Sequence, residues 1–136
     1  LSLHDALPIS HVVSLFEVAT VVPEGSLSCV TTRGGSRVMM PQADGNSGGD
    51  TRIAVRADDI IVATQPITTT SARNCFSGTV QDIVAMARSS YVRIHVGNDV
   101  WVARLTDDAI SDLKVQPGME VWLLLKASAI HWAAEG

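Results

Sequence analysis

Aromatic residues are scarce in this chain, six in 136 or 4%, although hydrophobic residues make up 46%. A core must therefore come mainly from Val, Ile, Leu and Ala, and the frequent β-branched residues favour strands. Positive charge is also in short supply. Lys and Arg number 10 against 14 Asp and Glu, a formal net charge of −4. That balance argues against a nucleic-acid surface, which needs a basic patch, and no basic-aromatic interleaving of the kind that holds single strands is present. Cysteine occurs twice, at Cys29 and Cys75, with neither metal nor redox spacing. Both are expected to be buried thiols in a reducing compartment. No apolar run approaches the ~18 residues that span a bilayer, so a soluble, cytoplasmic protein is expected. The four histidines, His4, His11, His95 and His131, have no metal spacing, and no local Ser/His/Asp or Cys/His arrangement stands out. The Gly-rich segments at 33–36 and 45–50 lack the Lys-Ser/Thr of a phosphate-binding loop. These residues cannot hydrolyse ATP, and the fragment is not expected to be an enzyme.

The first ten residues, Leu1 to Ser10, read as the translation of a common sequencing adapter. Segments of this kind are set aside before fold reasoning. Together with the missing initiator Met, they lead to the expectation that an upstream domain has been lost. The length suits one compact domain or two small halves.

What is present reads as short strands. Val12 to Val22 is apolar and ambiguous, and Pro23-Glu24-Gly25 marks a turn. Leu27 to Thr32, the hairpin signal Arg33-Gly34-Gly35-Ser36 and Arg37 to Met40 form a strand pair stopped by Pro41. Ala43 to Asp50 reads as a flexible loop. Thr51 to Val55 alternates, Arg56 to Asp59 is a charged corner rather than a metal site, and Ile60 to Ala63 is a short buried run. Gln65 to Thr70 looks like a linker. The long strand from Phe76 to Met86 slips phase, with Val80 and Val84 on one parity and Ile83 on the other, which predicts a β-bulge. Val92, Ile94 and Val96 alternate, Gly97-Asn98-Asp99 turns the chain, and Trp101, Ala103 and Leu105 return. Thr106 is a good N-cap, with Asp107 and Asp108 in a first turn favoured by the helix dipole. After Pro117-Gly118, Val121, Leu123 and Leu125 alternate with Trp122, Leu124 and Lys126. Lys126 should then face outward, over an apolar floor of Trp122 and Leu124. Three strands, a short helix and a further strand are the ingredients of an all-β, OB-type Greek-key barrel with the helix plugging one end. A smaller β-rich half precedes it.

Several anchors occur in order over the second half: Ser71-Ala72-Arg73-Asn74, Gly78-Thr79-Val80, Ala103-Arg104-Leu105-Thr106, Leu113, Pro117-Gly118 and Leu125-Lys126-Ala127-Ser128. Each is weak, but the ordered set is fairly specific. It resembles the molybdate-binding Mop family, closely related to the TOBE domains of importer ATPases. The first half, through Glu24-Gly25-Ser26-Leu27, Gly34-Gly35, Pro41 and Ile53 to Ile60, is more loosely similar to the stretch that precedes the Mop domain in molybdate-importer ATPases. Thr68-Thr69-Thr70 departs from the usual residues before Ser71, and Cys75 takes a position often aliphatic. The organisation expected is a scar at 1–10, a TOBE-like half at 11–67 and a Mop domain at 68–133.

Molybdate is a tetrahedral dianion with only acceptor oxygens, so its site needs donors and modest positive charge. Backbone N–H groups in a turn form an anion nest. The hydroxyls of Ser71 and Ser128, the side chains of Arg73, Asn74 and Lys126, and the peptide groups of Ala72 and Ala127 complete the expected set. The resemblance implies that the two motifs meet across an interface, so that one chain holds half of each site. It also implies molybdate or tungstate as ligand, a homodimer through the Mop domain, and a membrane permease reached through the lost ATPase domain. The place implied is cytoplasmic, peripheral to the inner membrane. Two alternatives stay open: a ligand-free TOBE dimerisation or docking module, and the sensor domain of a molybdate-responsive transcription regulator. From the residues alone, Ser71 to Asn74 can equally be an ordinary strand entry, with Asn74 bonding local backbone, and Lys126 a snorkelling surface lysine.

Overall fold

The computed structural model describes residues 12–43 and 52–133. The adapter-like decapeptide and the Gly-rich loop from residue 44 lie outside them. The described residues form β1 (Val13–Glu24), β2 (Leu27–Thr32), β3 (Arg37–Pro41), β4 (Arg52–Arg56), a 3₁₀ turn (Ala57–Asp59) and β5 (Ile61–Ala63). They continue with β6 (Asn74–Ala85), β7 (Ser89–Val96), β8 (Asp99–Thr106), α1 (Asp107–Leu113), β9 (Glu120–Leu125), a second 3₁₀ turn (Ala127–Ala129) and β10 (Ile130–Ala133). The architecture is all-β and OB-type, as two curled five-stranded sheets with the one helix.

Local sequence accounts for most elements. Burial alternates residue by residue in β2 and β4, as period-2 side-chain placement requires. The ambiguous first segment is a 12-residue strand whose inward anchor is Phe16. The phase slip in β6 is a register shift between Val80 and Asp82 against β7. It lets Val80 point into the core while Ile83 packs against it. Thr106 caps α1 by accepting from the Ala109 N–H at 3.1 Å, and Lys114 ends the helix in the left-handed conformation. Ala109, Ile110 and Leu113 of α1 pack on the core. Gly78 has a packing role: a Cβ there would sit 2.6 Å from the His95 carbonyl oxygen, so only glycine allows β6 and β7 to approach this closely.

The sheets do not follow the chain division at 67/68. The first has the order β10-β4-β1-β2-β3 and the second β5-β9-β6-β7-β8. β5, from the first half, pairs with β9 through Ile61↔Leu124 to Ala63↔Trp122. β10, from the second half, pairs with β4 through Ile130↔Val55 to Ala133↔Arg52. Each half thus lends a short edge strand to the other. One core runs through both. The fully buried Trp101 of β8 meets Phe16 of β1 at a ring-centroid distance of 4.5 Å and Phe76 of β6 at 5.0 Å. Aromatic contacts of this kind contribute about 0.5–1.5 kcal/mol beyond area burial.

A polar clamp joins the halves beside that core. Asp99 accepts from the Thr32 hydroxyl at 2.5 Å and the Ser36 hydroxyl at 2.6 Å. Ser36 Oγ also accepts from Trp101 Nε1 at 3.1 Å, and the Ser36 N–H donates to Thr32 Oγ1. Gly34 makes room for this, since a Cβ there would overlap the Asp99 carboxylate. Three expectations change. Cys75 is exposed and Cys29 half-buried, because both lie beside a surface groove rather than in the core. Ile61, placed in a buried run, is 61% exposed on an edge strand. Leu124, assigned to an outer floor, is only 3% exposed, and stands between Ile61 of the incoming β5 and Cys75 of β6 in the sheet.

Candidate functional site

Strand pairing brings the two sequence motifs together. β6 and β9 run antiparallel with Asn74 opposite Leu125 as the last pair at one end. Continued by one to three residues, that register sets Arg73 against Lys126 and Ser71 against Ser128. Both segments leave the ladder there as turns. The Ala72 N–H donates to Thr70 Oγ1 at 3.1 Å, and an Arg73 guanidinium nitrogen donates to the Thr70 carbonyl at 3.4 Å. On the other side, the Ala129 N–H donates to the Lys126 carbonyl at 3.0 Å. The internal bonds of this second 3₁₀ turn begin at Ala129. The N–H groups of Ala127 and Ser128 therefore lie outside them, the arrangement from which backbone anion nests are made.

Two adjoining depressions flank this junction and share Ser71, Lys126 and Ser128. The larger, about 480 Å³, is completed by Thr70, Ala72, Ala129, His131 of β10, Ile61 of β5, and Asp58 and Asp59 of the first 3₁₀ turn. The second, about 390 Å³, adds Arg73, Ala127 and, from the first half, Ser26, Leu27 and Pro41. Of the seven residues expected in the site, Ser71, Ala72, Arg73, Lys126, Ala127 and Ser128 line one or both. Asn74 does not. It is 4% exposed, and its amide is taken up by the Met39 peptide: Oδ1 accepts from the Met39 N–H at 2.7 Å and Nδ2 donates to the Met39 carbonyl at 2.9 Å. Asn74 thus fastens β3 to β6 and positions the turn that precedes it.

The charge balance is mixed. Lys126 and Arg73 are exposed cations. Asp58 is partly neutralised by Arg104 at 3.2 Å, and Arg104 also donates to the Ser89 hydroxyl at 3.0 Å. Asp59 faces the larger depression as well. The arrangement can hold a small anion through two hydroxyls, turn N–H groups and one or two cations. Among the described residues, no group of three or more His, Cys, Asp and Glu is placed to hold a metal ion, and no helix is long and apolar enough to cross a membrane.

Sequence reasoning missed Asp58, Asp59, Ile61 and His131 as site neighbours. They arrive through the exchanged strands β5 and β10 and the turn between β4 and β5. The only local signal was the charged corner at 56–59, which identifies a turn but not what it faces.

Residues 70–132 match the family model described as TOBE domain. Over 82 residues the chain is 37% identical to the molybdate/tungstate import ATP-binding protein WtpC of Pyrococcus abyssi, covering 60% of this chain and 24% of that protein. Over 110 residues it is 27% identical to the molybdenum import ATP-binding protein ModC of Rhizobium meliloti, covering 80% of this chain and 31% of that protein. The chain thus spans about a quarter to a third of the length of these curated relatives. Among solved structures it is similar to the cytoplasmic molybdate-binding protein ModG in a molybdate-bound form, with a TM-score of 0.70 and 19% identity over 91% of this chain and 96% of that one. That likeness concerns the fold.

Proposed function

We propose, from the premise that residues 70–132 match the TOBE domain model, that this chain binds molybdate or a related oxyanion as the regulatory C-terminal segment of a molybdate-importer ATPase. A TOBE domain is a binding module, and the chemistry proposed here is recognition rather than catalysis. The observation that carries the reading is the meeting of Ser71-Ala72-Arg73 with Lys126-Ala127-Ser128 at one end of the β6/β9 ladder. A tetrahedral dianion would receive hydroxyl donors from Ser71 and Ser128, N–H donors from the Ala127 turn, and charge from Lys126 and Arg73. The importer relatives and the molybdate-bound neighbour support the choice of ligand.

In this reading the site is half of a larger one. A second copy of the chain covers the open depressions, and exposed Ile61 beside the larger of them is the kind of apolar rim a partner would bury. Molybdate bound between copies would bias the cytoplasmic ATPase dimer toward one arrangement by its differential affinity for it. The result would be feedback on uptake through the permease. Calorimetry with molybdate, tungstate and sulfate, at protein concentrations that support dimers, tests this. Heat with molybdate or tungstate is the expected outcome, and no heat with any of the three refutes the ligand reading.

A docking module without ligand is the second reading. It is favoured by Val13 and Leu15, 43% and 51% exposed on the outer side of β1. Sedimentation separates the two. Self-association indifferent to oxyanion and to Lys126→Ala supports docking alone.

A further inference from the structure

The larger depression contains one ionisable side chain to which the oxyanion reading assigns no part. His131 stands on β10 opposite Ala54 of β4, a neighbour too small to cover an imidazole, and it is exposed. It lines the same depression as Ser71, Lys126 and Ser128. We propose that His131 is a further contact of the anion site and makes oxyanion affinity depend on pH; the inference rests on the oxyanion reading above.

The local charges explain why such a contact matters. Within the larger depression Lys126 supplies one positive charge, and Asp59 supplies a negative charge that repels a dianion. Asp58 is offset by Arg104. With His131 neutral, the depression has little net attraction for an anion. With His131 protonated, it gains a cation and a second N–H donor. Histidine is the side chain whose charge ordinarily changes between about pH 5 and 8. The surrounding elements pull both ways. Positive charge comes from Arg52 and Arg56, which flank Ala54 on the same side of β4, and from Lys126. Negative charge comes from Asp58 and Asp59 of the 3₁₀ turn and from Glu17 of β1 opposite Arg52, itself paired with Arg33. A bound dianion adds to the second group, so ligand binding and proton uptake at His131 reinforce one another, reciprocally.

The test uses the full chain and molybdate as probe. Affinity is measured by calorimetry at about pH 6 and about pH 8, either side of the histidine range, for the native chain and for His131→Gln. The native chain should bind roughly tenfold more tightly at the lower pH, the scale of one charge-assisted hydrogen bond. His131→Gln should bring that ratio close to one. In parallel, the imidazole resonances of His131 followed by NMR should titrate at higher pH when molybdate is saturating. Binding whose pH ratio is unchanged in His131→Gln, or a His131 midpoint indifferent to molybdate, overturns this inference and leaves the oxyanion reading standing. Absence of binding at both pH values overturns both.

Discussion

Replacing Asp99 by Ala tests whether the polar clamp joins the two halves as its geometry indicates. The substitution removes the acceptor for two hydroxyls, those of Thr32 at 2.5 Å and Ser36 at 2.6 Å. Thr32 and Ser36 are each 2% exposed, so water cannot readily replace the carboxylate. A hydrogen bond to a charged group contributes about 1.5–3 kcal/mol. Two at the low end, discounted because Asp99 is itself only half-buried, give a loss of roughly 2–3 kcal/mol. That is a large share of the ~5–15 kcal/mol stability of a typical domain. For a chain of this size it corresponds to a melting temperature lower by roughly 8–12 °C. Urea unfolding followed by Trp fluorescence suits the measurement, because Trp101 donates to Ser36 and packs between Phe16 and Phe76. The midpoint should fall with little change in slope. A loss below about 0.5 kcal/mol, the range of ordinary surface substitutions, would refute the reasoning: the carboxylate would then be solvated and the hydroxyls satisfied elsewhere.

Three further outcomes are expected. Lys126→Ala should weaken molybdate binding about ten- to a hundredfold, from the loss of a charge-assisted contact, with an unchanged melting temperature because the side chain is exposed and fills no core volume; calorimetry and a melting curve read both. Asn74→Ala should lower stability by about 1–3 kcal/mol, because it strands the Met39 peptide groups, and chemical denaturation measures it. Arg93→Ala should raise the Asp82 titration midpoint seen by NMR, since the Arg93 guanidinium holds that carboxyl below its ordinary range. The stability from this pair is present above the unfolded carboxylate range and fades as pH falls through the lowered native value, so the variant should be less stable than the native chain at neutral pH and equal to it at low pH.

The legible part of the fold was the part set by neighbours in sequence. Alternation in β7 and β8, the N-cap at Thr106 and the phase slip in β6 all follow from residues a few positions apart. The meeting of the two site motifs within one chain is different: it depends on β6 pairing with β9, whereas the resemblance implied a meeting across an interface. What was not legible depends on distant pairing. Ile61 read as buried because three apolar neighbours cannot reveal that their strand lies at an edge. Leu124 read as a surface floor because its partner Ile61 lies 63 residues away, a gap given by 124 minus 61. Asn74 carries the same amide whether it holds a ligand or a backbone, and only its meeting with Met39 decides. His131 came without metal spacing, but spacing says nothing about which depression a strand end will face.

The lending of β5 and β10 has a consequence for how the molecule can be taken apart. Cutting the connection between residues 63 and 74 would sever one peptide bond without freeing either piece. The N-terminal piece would still have β5 bonded along β9, and the C-terminal piece would still have β10 bonded along β4. The two are interlocked like a pair of hooks, and each separated alone would leave a vacant sheet edge, a template for wrong pairing. Shuffling such a module between proteins therefore has to move both halves at once. Its smallest heritable unit is the pair.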